Sequence, residues 1–146
     1  MSENKQARDV MTPNPASVSD KDSIKRVAEI MKREDAGVVP VVDGRKIIGI
    51  ITDRDIVVRL VAEGKDPANA RVNEAMSKKV RTVNEDTPVK EVLELMSSEQ
   101  IRRVPVTNAN NELVGIVSIG DIASESKETV KVGRTVEEIS EAPPNN

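Results

Sequence analysis

The chain repeats itself, and that constrains its fold more than any other feature. Asp9-Val10-Met11-Thr12 returns as Glu74-Ala75-Met76-Ser77, a shift of 65 residues. At the same shift Ile24, Val27, Ala28 and Met31 become Val89, Val92, Leu93 and Met96, and Val39-Pro40-Val41 becomes Val104-Pro105-Val106. One residue is then inserted near Asp43-Gly44, and the match resumes at a shift of 66. Gly49-Ile50-Ile51-Thr52-Asp53-Arg54-Asp55-Ile56 becomes Gly115-Ile116-Val117-Ser118-Ile119-Gly120-Asp121-Ile122. A match that survives an insertion and resumes in register marks a duplicated structural unit, with the insertion in a loop.

Each copy reads as a short strand, a helix, two strands and a helix. Pro13 and Pro15 hold the first copy extended up to a brief strand at residues 16–18. Asp22 and Thr87 are the expected N-caps, with Ser23 and Pro88 opening the helices. Ile24, Val27, Ala28 and Met31 share one helical face, as do Val89, Val92, Leu93 and Met96. Strands at 38–42 and 46–52 join at Asp43-Gly44, a hairpin signal, and the second hairpin turns at 108–111, where Asn tolerates left-handed backbone. The last helix of copy one spans about 54–63 and stops near Gly64. The boundaries are a flexible N-terminus at 1–6, repeat one at 7–64, a polar linker at 65–71 containing Pro67, repeat two at 72–125 and a tail at 126–146. In the tail, Val130, Val132, Val136 and Ile139 allow a weak strand and a helical turn, and the closing residues read as disordered.

Composition narrows the chemistry. The chain has 22 Val and 12 Ile against 4 Leu, a bias toward pleated sheet. It has no Cys and no His, so disulfides, Cys/His metal sites and a Ser-His-Asp triad are excluded. It has no Phe, Tyr or Trp, which removes base stacking on aromatic side chains. A net charge of −3 gives no basic footprint, so nucleic acid is a disfavoured partner. No apolar run approaches the ~18 residues of a membrane helix, and the polar start lacks the apolar stretch of a signal peptide. A cytoplasmic location and no membrane association follow as expectations, and the missing Cys fits them.

One motif can carry function. Gly-h-h-Thr/Ser-x-x-Asp occurs once per copy, at Gly49 to Asp55 and Gly115 to Asp121, where a strand meets a helix. Thr52 and Ser118 are good N-caps, with Asp55 and Asp121 three residues on in a variant of the capping box. The same atoms suit a ligand: free N–H groups and a hydroxyl for a phosphate, and a carboxylate for the hydroxyls of a ribose. Both readings stay open on the sequence alone. Copy two alone supplies Arg102 and Arg103, where copy one has Gly37 and Val38. These arginines suit phosphate, or else are exposed strand-start residues. Arg54, between Asp53 and Asp55, reads as a local surface pair. Met11, Met31, Met76 and Met96 fill the core or line an adaptable cleft.

The duplicated units resemble a tandem pair of CBS domains, a Bateman module, over about residues 7–123. Both Gly49–Asp55 and Gly115–Asp121 look like that family's nucleotide signature. Ile101-Arg102-Arg103-Val104-Pro105-Val106 and Thr52-Asp53-Arg54-Asp55-Ile56 are similar to stretches of small bacterial stand-alone CBS-pair proteins. The resemblance reaches no fused catalytic, channel or transporter domain. It implies an α/β (α+β) fold of two pseudo-symmetric β-α-β-β-α repeats packed through their sheets, with two clefts between them for AMP, ADP, ATP or another adenosyl ligand. By that resemblance Thr52 and Ser118 bind phosphate or ribose oxygens, and Asp55 and Asp121 bind ribose hydroxyls. Ser17-Val18 and Thr82-Val83 flank the adenine, which aliphatic side chains must hold.

The expected role is a non-catalytic, adenine-nucleotide-binding regulatory module that forms a homodimer or acts on an unidentified protein partner. No cofactor is obligatory, and Mg²⁺ enters only alongside a phosphate ligand. The alternative is a structural or protein-interaction module whose clefts bind no nucleotide. An enzyme ranks last, because no base other than a carboxylate or Lys is present and no nucleophile motif stands out.

Overall fold

A computed structural model describes residues 5–125. The weak strand and turn expected at Val130, Val132, Val136 and Ile139, the disorder expected of the closing residues, and the first four residues lie outside the described residues. The elements are α1 (Ala7–Val10), β1 (Thr12–Pro13), β2 (Val18–Ser19), α2 (Ile24–Glu34), β3 (Val38–Asp43), β4 (Lys46–Thr52), α3 (Asp53–Ile56), β5 (Val83–Asn84), α4 (Val89–Glu99), β6 (Arg103–Thr107), β7 (Leu113–Ser118) and α5 (Ile119–Glu125). The fold is mixed α/β with two sheets and five α-helices among the described residues. The chain forms two compact units, one of residues 5–15 and 81–125, the other Ala16–Val80. Each unit therefore combines the body of one sequence repeat with the opening segment of the other.

In the Ala16–Val80 unit the strand order is β2-β3-β4. β2 runs parallel to β3, which suits the crossover through α2, and β3 and β4 form the antiparallel hairpin. Asp43 pairs with Lys46, so the turn is Gly44-Arg45, with Gly44 at φ +64° as a tight two-residue turn requires. The buried residues of α2 are Ile24, Val27 and Ile30; Ala28, expected on this face, is exposed, and Met31 is half-buried. The packed row follows a spacing of three, which selects Ile30 over Ala28. The N-cap of α2 is Ser23, whose Oγ accepts the Arg26 N–H, and not Asp22. Asp22 instead accepts the Ser19 N–H at 2.8 Å and closes the turn leading into the helix. The helix expected at 54–63 is α3 followed by a π-helical turn at Val57–Val61, with the Ala62 N–H bonded to the Val57 carbonyl. The wider turn keeps Leu60 fully buried and leaves Val57, Val58 and Val61 outward. Residues 65–71 are tied down as well: Asp66 caps a 3₁₀ turn at Pro67–Asn69, and Ala70 is buried.

The other unit repeats this pattern with one strand added, in the order β1-β7-β6-β5. Its hairpin turns at 108–111, and Asn111 takes φ +61°. Thr87 acts like Asp22, accepting the Asn84 N–H at 3.1 Å, so Pro88 and not Thr87 holds the N-cap position of α4. Val89, Val92, Leu93 and Met96 are all buried on the face that the spacing predicts. The extended segment before residue 16 is broken at Asn14, whose φ is +48° and whose N–H donates to the Val114 carbonyl. Both hairpins shift register at equivalent places, between Val41 and Val42 and between Val106 and Thr107.

The opening segments cover a strand edge in each unit. Thr12 pairs with Ile116 and Pro13 with Gly115, so β1 covers β7. At the equivalent place Ser77 and Ile50 exchange two backbone hydrogen bonds of 2.8 and 2.9 Å along β4. The glycine of each motif makes the space. A Cβ on Gly115 would lie 2.3 Å from Met11 Sδ, and one on Gly49 would lie 2.4 Å from the Ser77 carbonyl oxygen and 2.5 Å from Met76 Cε. Those notches receive Met11 and Met76, and a glycine inside a strand marks such a close approach.

Candidate functional site

Both strand-to-helix junctions carry a closed capping box. Thr52 Oγ1 accepts the Asp55 N–H at 3.0 Å, and Asp55 Oδ2 accepts the Thr52 N–H at 2.9 Å. Ser118 Oγ accepts the Asp121 N–H at 3.0 Å, and Asp121 Oδ2 accepts the Ser118 N–H at 3.1 Å. The reciprocal bonds satisfy helix-start donors that would otherwise be orphaned. Each box uses only one carboxylate oxygen for the cap. Asp55 Oδ1 lies 3.6 Å from Arg59 Nε, with the Asp55 side chain 16% exposed. No hydrogen bond engages Asp121 Oδ1 among the described residues. A carboxylate oxygen at the edge of a box is chemically suited to accept from a hydroxyl.

The strands before each box are aligned alike. Val38 stands opposite Thr52, and Arg103 stands opposite Ser118. The Asp53 N–H donates to the Gly37 carbonyl and the Ile119 N–H to the Arg102 carbonyl. Arg102 and Arg103 are thereby carried to the Ser118–Asp121 box, the first exposed and the second half-buried. In the first repeat the same place is small and acidic. A Cβ on Gly37 would lie 3.1 Å from Asp53 Oδ2, so the glycine leaves room for that carboxylate. The surface pair expected at Arg54 is made by Arg59 instead, one helical turn beyond Asp55.

Ser17, Val18, Thr82 and Val83 are not beside the boxes within their own sheets. Val18 pairs with Val41, which stands opposite Gly49, and Val83 pairs with Val106, which stands opposite Gly115. Each is thus level with the motif glycine, three residues or about 10 Å along the strand from the hydroxyl residue. Val18 and Val83 are buried, while Ser17 and Thr82 are half-buried. Met76 and Met96 are buried in the cores, and Met11 and Met31 pack half-buried against them. Two features escaped sequence reasoning. One is Arg59, whose only signal is its spacing of four from Asp55. The other is the pairing of Met76 with Gly49 and Met11 with Gly115, signalled by a glycine within each strand.

Known proteins bear on these features. The sequence model of the CBS domain matches residues 7–62 and 72–128. The chain is 40% identical over 136 residues to the protein YlbB of Bacillus subtilis, covering 92% of this chain and 90% of that one. It is 36% identical over 118 residues to hypoxic response protein 1 of Mycobacterium tuberculosis, covering 80% and 82%. The crystal structure of Hypoxic Response Protein I with two coordinated zinc ions superimposes with a TM-score of 0.76 at 34% identity, covering 84% of this chain and 99% of that one. The CBS domain pair of protein MJ0100, in complex with 5′-methylthioadenosine and S-adenosyl-L-methionine, superimposes with a TM-score of 0.71 at 32% identity, covering 83% and 98%. The chain offers neither imidazole nor thiolate, and among the described residues no three carboxylates gather as a metal site.

Proposed function

The chain belongs to the CBS-domain family, and from that premise we propose that it is a non-catalytic regulatory module that senses an adenosyl ligand at its two strand-to-helix junctions. The observation that carries the proposal is the pair of equivalent boxes, each with a hydroxyl and a carboxylate whose second oxygen takes no part in the cap. Thr52 and Ser118 are assigned to phosphate or ribose oxygens, and Asp55 and Asp121 to the ribose hydroxyls. Arg102 and Arg103 favour phosphate at the second junction. Ser17-Val18 and Thr82-Val83 are assigned to the adenine. The similarity to a domain pair that binds 5′-methylthioadenosine and S-adenosyl-L-methionine supports an adenosyl group as the common element. AMP, ADP and ATP are the phosphorylated candidates. Binding would act by shifting a conformational equilibrium that a second copy or a partner protein reads.

The test is calorimetry of the purified protein with AMP and with 5′-methylthioadenosine. Replacing Asp55 and Asp121 together by Ala removes charged acceptors worth about 1.5–3 kcal/mol each, so affinity should fall by roughly 10- to 150-fold or more. Affinity that survives both changes refutes the ribose assignment. Closed caps are equally what a structural CBS module needs, and wild-type protein that binds neither ligand at millimolar concentration establishes that second reading. Because the chain has no Trp or Tyr, absorbance at about 260 nm in nucleic-acid-free protein reports co-purified nucleotide directly. Self-association is expected, and light scattering that finds only monomer at high concentration would remove it.

A further inference from the structure

Within the Ala16–Val80 unit one side chain connects the capping box to the segment that covers the edge of β4. Asp55 Oδ2 holds the Thr52 N–H at 2.9 Å, while Asp55 Oδ1 faces Arg59 Nε at 3.6 Å. The same guanidinium donates through Nη1 to the Met76 carbonyl at 3.3 Å. Met76 fills the notch at Gly49, and its neighbour Ser77 exchanges two backbone hydrogen bonds with Ile50. Arg59 thus stands between the capping box and residues 75–77, the segment that covers the edge of β4. A planar guanidinium can serve both neighbours at once, which the single ammonium of a lysine cannot do as well. The corresponding position in the second repeat, 66 residues on, is Glu125. Among the described residues no cation pairs with Asp121.

We infer that Arg59 is a positioning residue that transmits changes at the Asp55 carboxylate to the docking of residues 75–77, so that the two repeats respond differently to events at their boxes. While Asp55 anchors the guanidinium, the side chain has little rotamer freedom left to lose in bonding Met76. When the charge of Asp55 is removed or engaged elsewhere, that anchor weakens and the segment opens more often. The coupling itself stands on the contacts above; its use by a ligand rests on the adenosyl reading and deepens it.

The experiment is a double-mutant cycle read by hydrogen exchange at the Ser77 amide, which donates to the Ile50 carbonyl. Asp55→Asn keeps an acceptor for the Thr52 N–H and removes the charge, and Arg59→Met keeps the apolar stem and removes the guanidinium. Each single change should speed Ser77 exchange by roughly two- to fivefold, the scale of a partly exposed ion pair. The double variant should exchange no faster than Arg59→Met alone. Effects that multiply in the double variant, or single variants that leave Ser77 unchanged, overturn the inference. The Asn14 amide, bonded to the Val114 carbonyl in the other unit, is the control. Equal acceleration at Asn14 and Ser77 would mean general destabilisation and would also overturn it. Saturating AMP should alter Ser77 exchange in the wild type and not in Arg59→Met; an equal response in both overturns the ligand coupling. If calorimetry finds no AMP binding, the adenosyl reading fails, while the cycle still decides the role of Arg59.

Discussion

Replacing either motif glycine by alanine should be costly for different reasons, and the difference is measurable. At Gly49 the new methyl meets the Ser77 carbonyl oxygen at 2.4 Å and Met76 Cε at 2.5 Å. The side chain can rotate away, but the carbonyl is held by two backbone hydrogen bonds to Ile50. The chain must shift its backbone or release the segment. Release loses the burial of Met76, about 1.5–3 kcal/mol, and two hydrogen bonds of about 0.5–1.5 kcal/mol each. Gly49→Ala should therefore destabilise by about 2.5–6 kcal/mol, less whatever partial relaxation recovers. At Gly115 the three nearest atoms to the methyl all belong to the Met11 side chain, with Sδ at 2.3 Å, Cγ at 2.8 Å and Cβ at 3.1 Å. Met11 is half-buried and can repack, so Gly115→Ala should cost about 1–2 kcal/mol. The partners give the sharper test. In a Met11→Ala background Gly115→Ala should lose most of its cost, because the Met11 Cβ at 3.1 Å is what remains of those three contacts, whereas in a Met76→Ala background Gly49→Ala should remain costly because the Ser77 carbonyl is still there. Urea denaturation followed by far-UV circular dichroism suits a chain without aromatic residues. A Gly49→Ala variant within about 0.5 kcal/mol of wild type, or one rescued by Met76→Ala, would refute the backbone-contact explanation.

Three further outcomes are expected in the same assay. Thr52→Ala and Ser118→Ala each remove a cap and should cost about 1 kcal/mol, with Ser in place of Thr52 restoring most of it. Leu60→Ala should cost about 2–5 kcal/mol because Leu60 is fully buried, while Val61→Ala, 54% exposed, should stay within about 0.5 kcal/mol. A fragment of residues 16–80 should unfold cooperatively in urea, because it retains the segment that fills the Gly49 notch. A fragment of 7–64, cut at the sequence repeat, should not; cooperative unfolding of the latter alone would contradict the packing described.

The sequence by itself determined whatever depends on neighbours along the chain. The shift of 65 and then 66 residues fixed the number of units and placed the insertion in a hairpin turn, where the structure has Gly44-Arg45 against a longer turn after Asn108. The spacing of Val89, Val92, Leu93 and Met96 identified a buried face, and Thr52 with Asp55 identified a capping box, because bonds over three or four residues are written in local spacing. Tertiary structure decided what distance along the chain conceals. Gly49 looks in sequence like one letter of a ligand motif, yet its lack of a side chain makes space for Met76 and Ser77, brought to it from more than twenty residues away. The opening segment of each repeat packs in the unit built around the other repeat, and Arg59 reaches the Met76 carbonyl across the same fold. The glycines mark that something approaches β4 and β7 but not what, because the partner segments come from distant sequence and meet these strands only once the strand edges are in place.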